Sequence, residues 1–407
     1  MKKKCIVISL LIITLLILNS CFVDKSSGDN KQNTNNAVQI ENDSVEKDFN
    51  EGVAKDFSWD FNDGILTISG HGAMPNWGLN NPIPWSNNRR DISKIVIEQG
   101  LTTVGSNAFN GCTNVVTVEI SDTIISIKDS AFACCSTLES ISIPSNVKHI
   151  DKEAFACCFH LKTITLSDGL ISIGQEAFES CTELEKIYIP SSVKEIGGGV
   201  FSDCKILSEV MLEDNNNYIF DDDILYNSDK TILVSCLSSK RGDLMIPESV
   251  KEISNAAFDG CFYINSICIS KNITKIGDET FKFCSSVKEF VIPEGVQEIG
   301  KEAFEGCRSL ESIVLPNSLI CIDDNAFQQT GLLEITIPNK VAKIGDEVFF
   351  GCDELQSIII PPSVTEIGEN VFWTGFDLYS IVIKGQEGSL AEQYAIENGT
   401  SFEKKEF

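Results

Sequence analysis

A phenylalanine recurs along most of this 407-residue sequence at a nearly constant spacing. The interval between successive copies is 23 residues in eight of ten steps, 22 in one, and 57 in one, the last being one repeat plus 34 residues. The series comprises Phe109, Phe132, Phe155, Phe178, Phe201, Phe258, Phe281, Phe304, Phe327, Phe349 and Phe372. A fixed period of this length is typical of a solenoid, in which each repeat forms one coil that packs only against its neighbours.

The residues around each phenylalanine predict the course of one coil, with the consensus L-x-x-I-x-I-P-x-x-V-x-x-I-G-x-x-A-F-x-x-C. The I-x-I segment alternates as a β-strand does, and the proline ends it because proline has no backbone N–H to donate. Strands that recur once per coil lie parallel, so we expect a parallel sheet on one face. The V-x-x-I-G segment is expected to turn the chain at its glycine, and the A-F pair to fill the interior on the return side.

The first 21 residues have the pattern of a bacterial signal peptide. Three lysines precede thirteen largely apolar residues, which are too few for a membrane-spanning helix of about 20 residues. The run Leu18-Asn19-Ser20-Cys21 resembles the lipobox of bacterial lipoproteins, although Asn19 stands where a small or apolar residue is more usual. We therefore expect lipidation at Cys21, with an ordinary cleaved signal as the alternative. Acyl chains there would make the lipid anchor the only membrane contact.

The 23-residue period is lost at both ends of the repeat array, which indicates a capping structure at each end. Near the start, two alternating apolar segments flank Asn62-Asp63-Gly64, which is a hairpin signal, and near the end a short helical pattern closes on Gly399. The predicted organisation is a signal peptide (1–20), a flexible polar tether (21–55), an N-terminal capping region with a hairpin (56–91), the repeat solenoid (92–384) with an inserted hairpin at about 214–244, and a C-terminal cap and tail (385–407).

The repeat resembles that of the BspA-like leucine-rich-repeat surface proteins of bacteria and some protists, over roughly residues 57–400. The cap hairpin, the inserted hairpin and the C-terminal G-S-x-A-x-x-Y-A segment are part of the resemblance. It implies a β-dominated α/β repeat solenoid, a right-handed leucine-rich-repeat array of about 23-residue coils with a parallel sheet on one face. It also implies secretion and, in some members, adhesion to host or bacterial surfaces, but no shared ligand.

Charge and motif content exclude several functions. The net charge is −27 and basic residues cluster only at the extreme N-terminus, so nucleic acid is not an expected partner. The sequence has three histidines and contains no H-E-x-x-H, no G-x-S-x-G and no P-loop. We expect no catalysis, no cofactor and no small-molecule substrate. The remaining enzymatic alternative is a site in the N-terminal cap around His71.

Nine of the 16 cysteines follow the repeat phenylalanine by three residues. Stacked at the spacing of neighbouring strands, about 4.8 Å, their Cβ atoms are too far apart for disulfides, so we expect buried free thiols. Zinc is not expected, because a linear stack cannot form a tetrahedron. Cys134 and Cys157 occupy an off-core position on adjacent coils, and the sequence does not decide whether a disulfide joins them.

Two surfaces are candidates for binding an extracellular protein or glycan. The first is the outward position of the I-x-I strand, where we single out Tyr188, Met211, Val291, Val314, Ile359 and Val382, the last four belonging to a row with Cys268 and Thr336. The alternative is that these residues pack among themselves, because β-branched side chains suit strands. The second surface is the insertion, which holds the tripeptide Arg241-Gly242-Asp243 and oxygen-rich segments at 214–217 and 221–223. The tripeptide spells an integrin-recognition motif and the oxygen-rich segments could hold calcium, while ordinary charged turns are the alternative for both.

The leading prediction is therefore a non-enzymatic, surface-exposed binding or adhesion protein that recognises an extracellular macromolecule. A structural coat or spacer lipoprotein without a dedicated ligand is the alternative. An enzyme with a site in the N-terminal cap is the third and least supported hypothesis.

Overall fold

The computed structural model describes residues 55–78, 80–373 and 381–407. The signal peptide, Cys21 and most of the tether lie outside the described residues. Within the described part, no helix is long and apolar enough to cross a membrane. The repeats wind into a continuous parallel-strand solenoid, as the 23-residue period predicts.

An antiparallel hairpin closes the N-terminal end, as the sequence predicts. Its strands are β1 (Lys55–Asn62) and β2 (Ile65–Ala73). The long β2 pairs in parallel with two different strands of the first coil, at Thr67 with Val96 and at Gly72 with Leu101. Trp85 then stacks on Phe109 with ring centroids 5.7 Å apart, so the cap covers the first phenylalanine of the series. A single 3₁₀ turn, Ser86–Asn88, links the hairpin to the array.

One parallel strand of each coil lies in what we call the front column. Its strands are β3 (Lys94–Ile97), β5 (Thr117–Ile120), β7 (Ser140–Ser142), β9 (Thr163–Thr165), β11 (Lys186–Tyr188), β13 (Glu209–Met211), β17 (Gly242–Met245), β19 (Ile264–Cys268), β21 (Glu289–Val291), β23 (Ser312–Val314), β25 (Glu334–Thr336), β27 (Ser357–Ile360), β29 (Val382–Gly385) and β30 (Ser401–Lys404). The central apolar residue of each three-residue strand is buried and its neighbours are exposed or half-buried, as Ile141 and Ile164 show. The front column is the sheet that the I-x-I pattern predicts.

A second ladder of parallel strands, which we call the side column, runs beside it. Its members are β4 (Leu101–Val104), β6 (Ser126–Ile127), β8 (His149–Ile150), β10 (Ser172–Ile173), β12 (Glu195–Ile196), β18 (Glu252–Ile253), β20 (Lys275–Ile276), β22 (Glu298–Ile299), β24 (Cys321–Ile322), β26 (Lys343–Ile344) and β28 (Glu366–Ile367). The sequence predicted a turn at the glycine of this segment, and a turn does begin there, since Ala177 donates to the carbonyl of Gly174 at 3.4 Å. The sequence did not predict the short strand before the glycine. An earlier turn, in which Val147 donates to the carbonyl of Pro144, leaves the isoleucine that follows extended and paired with both neighbouring coils.

The return side carries the phenylalanines, which form an aromatic stack inside the solenoid. Rings on neighbouring coils lie 5.2 to 6.1 Å apart between centroids, except at the insertion. The backbone adds a third ladder of hydrogen bonds, for example from the N–H of Phe155 to the carbonyl of Ala177 at 2.9 Å. Each coil is therefore bonded to the next on three sides, which is why a single coil would not fold alone.

The insertion contributes β14 (Tyr218–Asp221), β15 (Ile224–Asn227) and β16 (Ile232–Cys236). Alternate side chains of β15 and β16 face opposite halves of the solenoid. Leu225 and Val234 pack in the N-terminal core, whereas Ile224 and Leu233 pack in the C-terminal core. The insertion is thus a wall between two hydrophobic cores. Its extra strands end at Cys236, and residues 242–244, which the sequence assigned to the insertion, belong to the front column.

The C-terminal end is closed by α1 (Leu390–Asn398) and by β30. The helix ends where the sequence predicts, at Gly399, whose left-handed backbone has φ 68°. Strand β30 pairs in parallel with β29 and covers its edge, which the sequence did not predict.

Candidate binding surface

The outward side chains of the front column form a largely apolar row in the C-terminal half, which we call the apolar stripe. It consists of Met245, Cys268, Val291, Val314, Thr336 and Ile359. Strand pairing aligns Met245 with Cys268, Val291 with Val314 and Thr336 with Ile359. Six strands at about 4.8 Å per step give a stripe about 24 Å long.

The apolar stripe is open to solvent along most of its length. Met245 is 76% exposed, Val291 63% and Val314 56%, and only Ile359 is half-buried. An apolar row of this length on one face, with polar residues around it, is a feature of interaction surfaces. The expectation that these side chains cover one another accounts for β-branched residues but not for a methionine exposed at this level.

Polar residues border the apolar stripe on its flank and at its C-terminal end. Two positions before the last four stripe residues stand Glu289, Ser312, Glu334 and Ser357, which are exposed or half-buried. At the C-terminal end, Lys384 takes the next place in the row and pairs with Glu403 at 3.6 Å. The arrangement is an apolar centre within a polar rim, as in protein interfaces.

Val382, which the sequence placed in the row, lies outside it. Strand pairing sets Val382 beside Ser357 and Lys384 beside Ile359. The coil between these strands has 25 residues from Ile358 to Ile383, two more than the repeat, so counting by 23 assigned the wrong residue.

Met245 was missed by the sequence analysis. The signal was present, because Leu244-Met245-Ile246-Pro247 matches the I-x-I-P consensus, but it was hidden by assigning residues up to 244 to the insertion. Tyr188 and Met211 are paired with each other on the front column, and the inserted strands β14 to β16 separate β13 from β17 along the chain. These two residues therefore form a shorter apolar segment on the other side of the insertion.

The tripeptide Arg241-Gly242-Asp243 lies at the start of β17, with both charged side chains exposed. The Arg241 guanidinium lies 4.1 Å from the ring centre of Tyr263, and Asp243 accepts a hydrogen bond from Ser266 at 2.7 Å. The next coil therefore holds both ends of the tripeptide, and an integrin-type role stays a prediction.

The oxygen-rich segments of the insertion are engaged by lysines or by the backbone. Lys240 Nζ contacts the carboxylate of Asp222 at 2.5 Å and its carbonyl at 3.0 Å, and Lys230 pairs with Asp221. Asn215 is buried and donates to the carbonyl of Pro190. Across residues 55–78, 80–373 and 381–407, no group of three His, Cys, Asp or Glu side chains could hold a metal ion. The calcium hypothesis has no geometry to support it here.

The cysteine ladder is buried, and its thiols bond to the backbone. Cys204 Sγ, for example, donates to the carbonyl of Phe178 on the preceding coil at 3.0 Å. Burial raises the pKa of Cys112 to about 12, against a smaller opposing effect of Arg89. His71 is exposed on β2, and no hydrogen bond or ion pair within the described residues joins it to a carboxylate.

Comparison with known proteins places the chain in a family. The model of the BspA type leucine rich repeat region matches in six copies, over residues 86–208, 235–332 and 274–403. The chain belongs to this family of leucine-rich-repeat proteins. No curated protein matches it significantly.

Solved structures share the fold. A leucine-rich repeat protein from Eubacterium ventriosum is 25% identical, with a TM-score of 0.56, and the match covers 78% of this chain and 92% of that one. The pneumococcal vaccine antigen PcpA is 21% identical, with a TM-score of 0.55, covering 88% and 99%. A leucine rich cell surface protein from Faecalibacterium prausnitzii is 24% identical, with a TM-score of 0.54, covering 87% and 98%. At these identities the likeness concerns the fold.

Proposed function

We propose that this leucine-rich-repeat protein is an exported bacterial surface protein that binds an extracellular macromolecule through the apolar stripe. The observation that carries the proposal is the exposure of Met245, Val291 and Val314 in one continuous row. Burying exposed apolar area stabilises a complex by roughly 25 cal/mol per Å², whereas leaving it in water contributes nothing. A protein partner with an apolar ridge is the best fit to a flat row of this shape.

Export is supported by the N-terminal signal pattern and the lipobox-like cysteine. A protein of similar fold from F. prausnitzii is described as a cell surface protein. Cys21 would be acylated, and the polar segment after it would hold the solenoid away from the membrane. Replacing Cys21 with Ala should move the protein from the membrane to the soluble fraction, and unchanged fractionation would refute acylation at this residue.

Binding is tested by introducing charged residues at the centre of the apolar stripe. The variant Val291→Lys/Val314→Lys keeps the strand but places two cations where an apolar partner would pack. We expect it to lose binding to whichever matrix protein, glycan or bacterial surface the immobilised full chain retains. The matched control is Ile320→Lys, because Ile320 is 46% exposed but stands beside the side column rather than on the front column.

The spacer hypothesis makes the opposite prediction for the same experiment. If the full chain binds none of these surfaces above the level of the doubly charged variant, the apolar stripe is not a recognition surface. Equal loss in Ile320→Lys would show that added charge, rather than position, abolished binding.

A further inference from the structure

Two coils that are 57 residues apart in sequence pack directly against each other on the return side. A Cβ on Gly199 would lie 2.6 Å from the Cβ of Ala256, and Ser202 donates to the carbonyl of Ala256 at 3.2 Å. The inserted strands lie away from the return side, because β16 pairs with β18 of the side column. The return side at this junction is therefore lined by small residues.

Carboxylates surround these small residues. At the position that follows the repeat phenylalanine on each coil, Glu179 and Asp259 stand on either side of Ser202. At the position two residues before the phenylalanine, Glu176 and Glu279 stand on either side of Gly199 and Ala256. We call Glu176, Glu179, Asp259 and Glu279 the acidic seam. It exists only because the chain returns after the insertion and brings the two halves of the repeat array together.

Two lysines at the edges of the acidic seam already form ion pairs with other carboxylates. Lys152 contacts Glu153 at 3.0 Å and Glu176 at 3.5 Å on one edge. Lys282 contacts Glu279 at 3.3 Å and Glu305 at 3.1 Å on the other. Neither lysine forms an ion pair with the two central carboxylates.

The two central carboxylates have no partner among the described residues. Asp259 is only 6% exposed, and its Oδ1 is buried without a hydrogen bond. The charged groups that act on it are Glu179, Lys282, Glu279 and Glu176, so it faces the acidic seam. Glu179 is half-buried and also makes no side-chain hydrogen bond or ion pair. A buried carboxylate without a cation or donor is costly, so in the absence of a ligand these groups retain protons that a bound cation would replace.

We propose that the acidic seam binds an organic ammonium group between the carboxylates of Glu179 and Asp259. An ammonium has three N–H donors and no acceptor, so one group can satisfy both carboxylates at once. A coordinated divalent metal fits less well, because no three carboxylates of the described part are close enough to hold one. The net charge of −27 favours the approach of a cationic ligand. The ammonium comes either from a free polyamine or from a lysine side chain of a partner.

The test titrates the purified full chain with three probes: 1,4-diaminobutane, a short lysine peptide, and Ca²⁺. Isothermal calorimetry gives affinity and stoichiometry. We expect one saturable site for an amine, weakened about tenfold or more by Glu179→Gln or by Asp259→Asn, because each removes one charge-assisted contact. The probe that binds more tightly identifies the source of the ammonium. This site is separate from the apolar stripe, so Val291→Lys/Val314→Lys should leave it unchanged.

Matched controls are Glu366→Gln and Asp353→Asn, which remove the same charges at exposed positions on other coils. The proposal is overturned if these controls weaken amine binding as much as the seam variants, since the effect would then come from net charge. It is also overturned if no saturable site is found, or if Ca²⁺ binds there and displaces the amine. Folding is not in doubt for the seam variants, because each replaces a buried carboxyl group that has no partner with an amide of the same size; thermal unfolding checks this.

Discussion

Asn255 and Gly277 share one small volume between neighbouring coils. A Cβ on Gly277 would lie 2.2 Å from Oδ1 of Asn255, and that oxygen accepts a hydrogen bond from the backbone N–H of Asp278 at 3.1 Å. Gly277 does not have a left-handed backbone. Its small size, rather than a bend, is what the fold requires at this position. The same relationship joins Asp346 to Gly368, where the corresponding distance is 2.4 Å.

This relationship predicts a non-additive pair of substitutions. Gly277→Ala should destabilise the fold by about 1–3 kcal/mol through overpacking, and Asn255→Ala by about 1 kcal/mol through the lost hydrogen bond. The double variant should be more stable than the sum of the two predicts, because only the Asn255 side chain lies within 3 Å of the added methyl group. Urea unfolding of the four proteins measures the interaction.

Gly174 provides the contrast. A Cβ there would meet the backbone of Asp151 and Lys152 at 2.5 Å, so no side-chain truncation in the neighbouring coil can relieve it. Gly174→Ala should remain fully destabilising in a Lys152→Ala background. Two results would contradict this explanation of the repeat glycine: additive losses of unfolding free energy for Gly277→Ala and Asn255→Ala, or recovery of stability when Lys152→Ala is added to Gly174→Ala.

The acidic seam predicts that the folded protein loses stability as pH rises. Burial, followed by the negative charges of Glu176, Glu153 and Glu279, raises the pKa of Glu179 to about 8 from 4.5, against a lowering effect of Lys282. Burial is also the main cause that raises the pKa of Glu176 to about 7. Between about pH 4.5 and 8 the folded protein holds protons that the unfolded chain releases, so the stability present below pH 4.5 is lost across this window.

We expect the free energy of unfolding to fall by about 2 kcal/mol from pH 5 to pH 8.5, allowing for solvent screening of the half-buried group. Thermal unfolding across this range measures it. In Glu176→Gln/Glu179→Gln the decrease should be smaller, because the groups that bind the extra protons are gone. If the pH dependence of the unfolding free energy is identical in the variant and the original protein, groups other than Glu176 and Glu179 cause it.

The sequence predicts the structural features that are set by the spacing between neighbouring coils. It does not predict those that depend on coils far apart in the sequence. The stack from Phe109 to Phe372 and the front column follow from local spacing and are confirmed. The side column was missed because a two-residue strand has no periodicity to detect. Val382 was misplaced because one coil is longer. Glu179 and Asp259 could not be paired from sequence, because their proximity depends on the path of the insertion.

The wall formed by β15 and β16 predicts different effects from two neighbouring leucines. Leu225→Ala removes a side chain from the N-terminal core and Leu233→Ala removes one from the C-terminal core. Each should cost about 2–5 kcal/mol, as expected for truncation of a fully buried leucine. Hydrogen exchange should therefore accelerate mainly in coils before the insertion for the first variant and after it for the second. Equal acceleration on both sides in both variants would contradict two separate cores.

The cysteines predict an order of chemical reactivity. Cys268 is exposed on the apolar stripe, whereas the ladder thiols are buried, with the pKa of Cys352 raised to about 11 mainly by burial. Because the thiolate is the reactive species, a maleimide at neutral pH should label Cys268 in the folded protein, and ladder members such as Cys204 only after unfolding. Peptide mass spectrometry locates the label. Cys268→Ser is the control, since it removes the label at this position without touching the core. Rapid labelling of Cys204 in that variant under native conditions would mean that the coils open locally, and that the hydrogen bond from its thiol to Phe178 does not hold the stack closed.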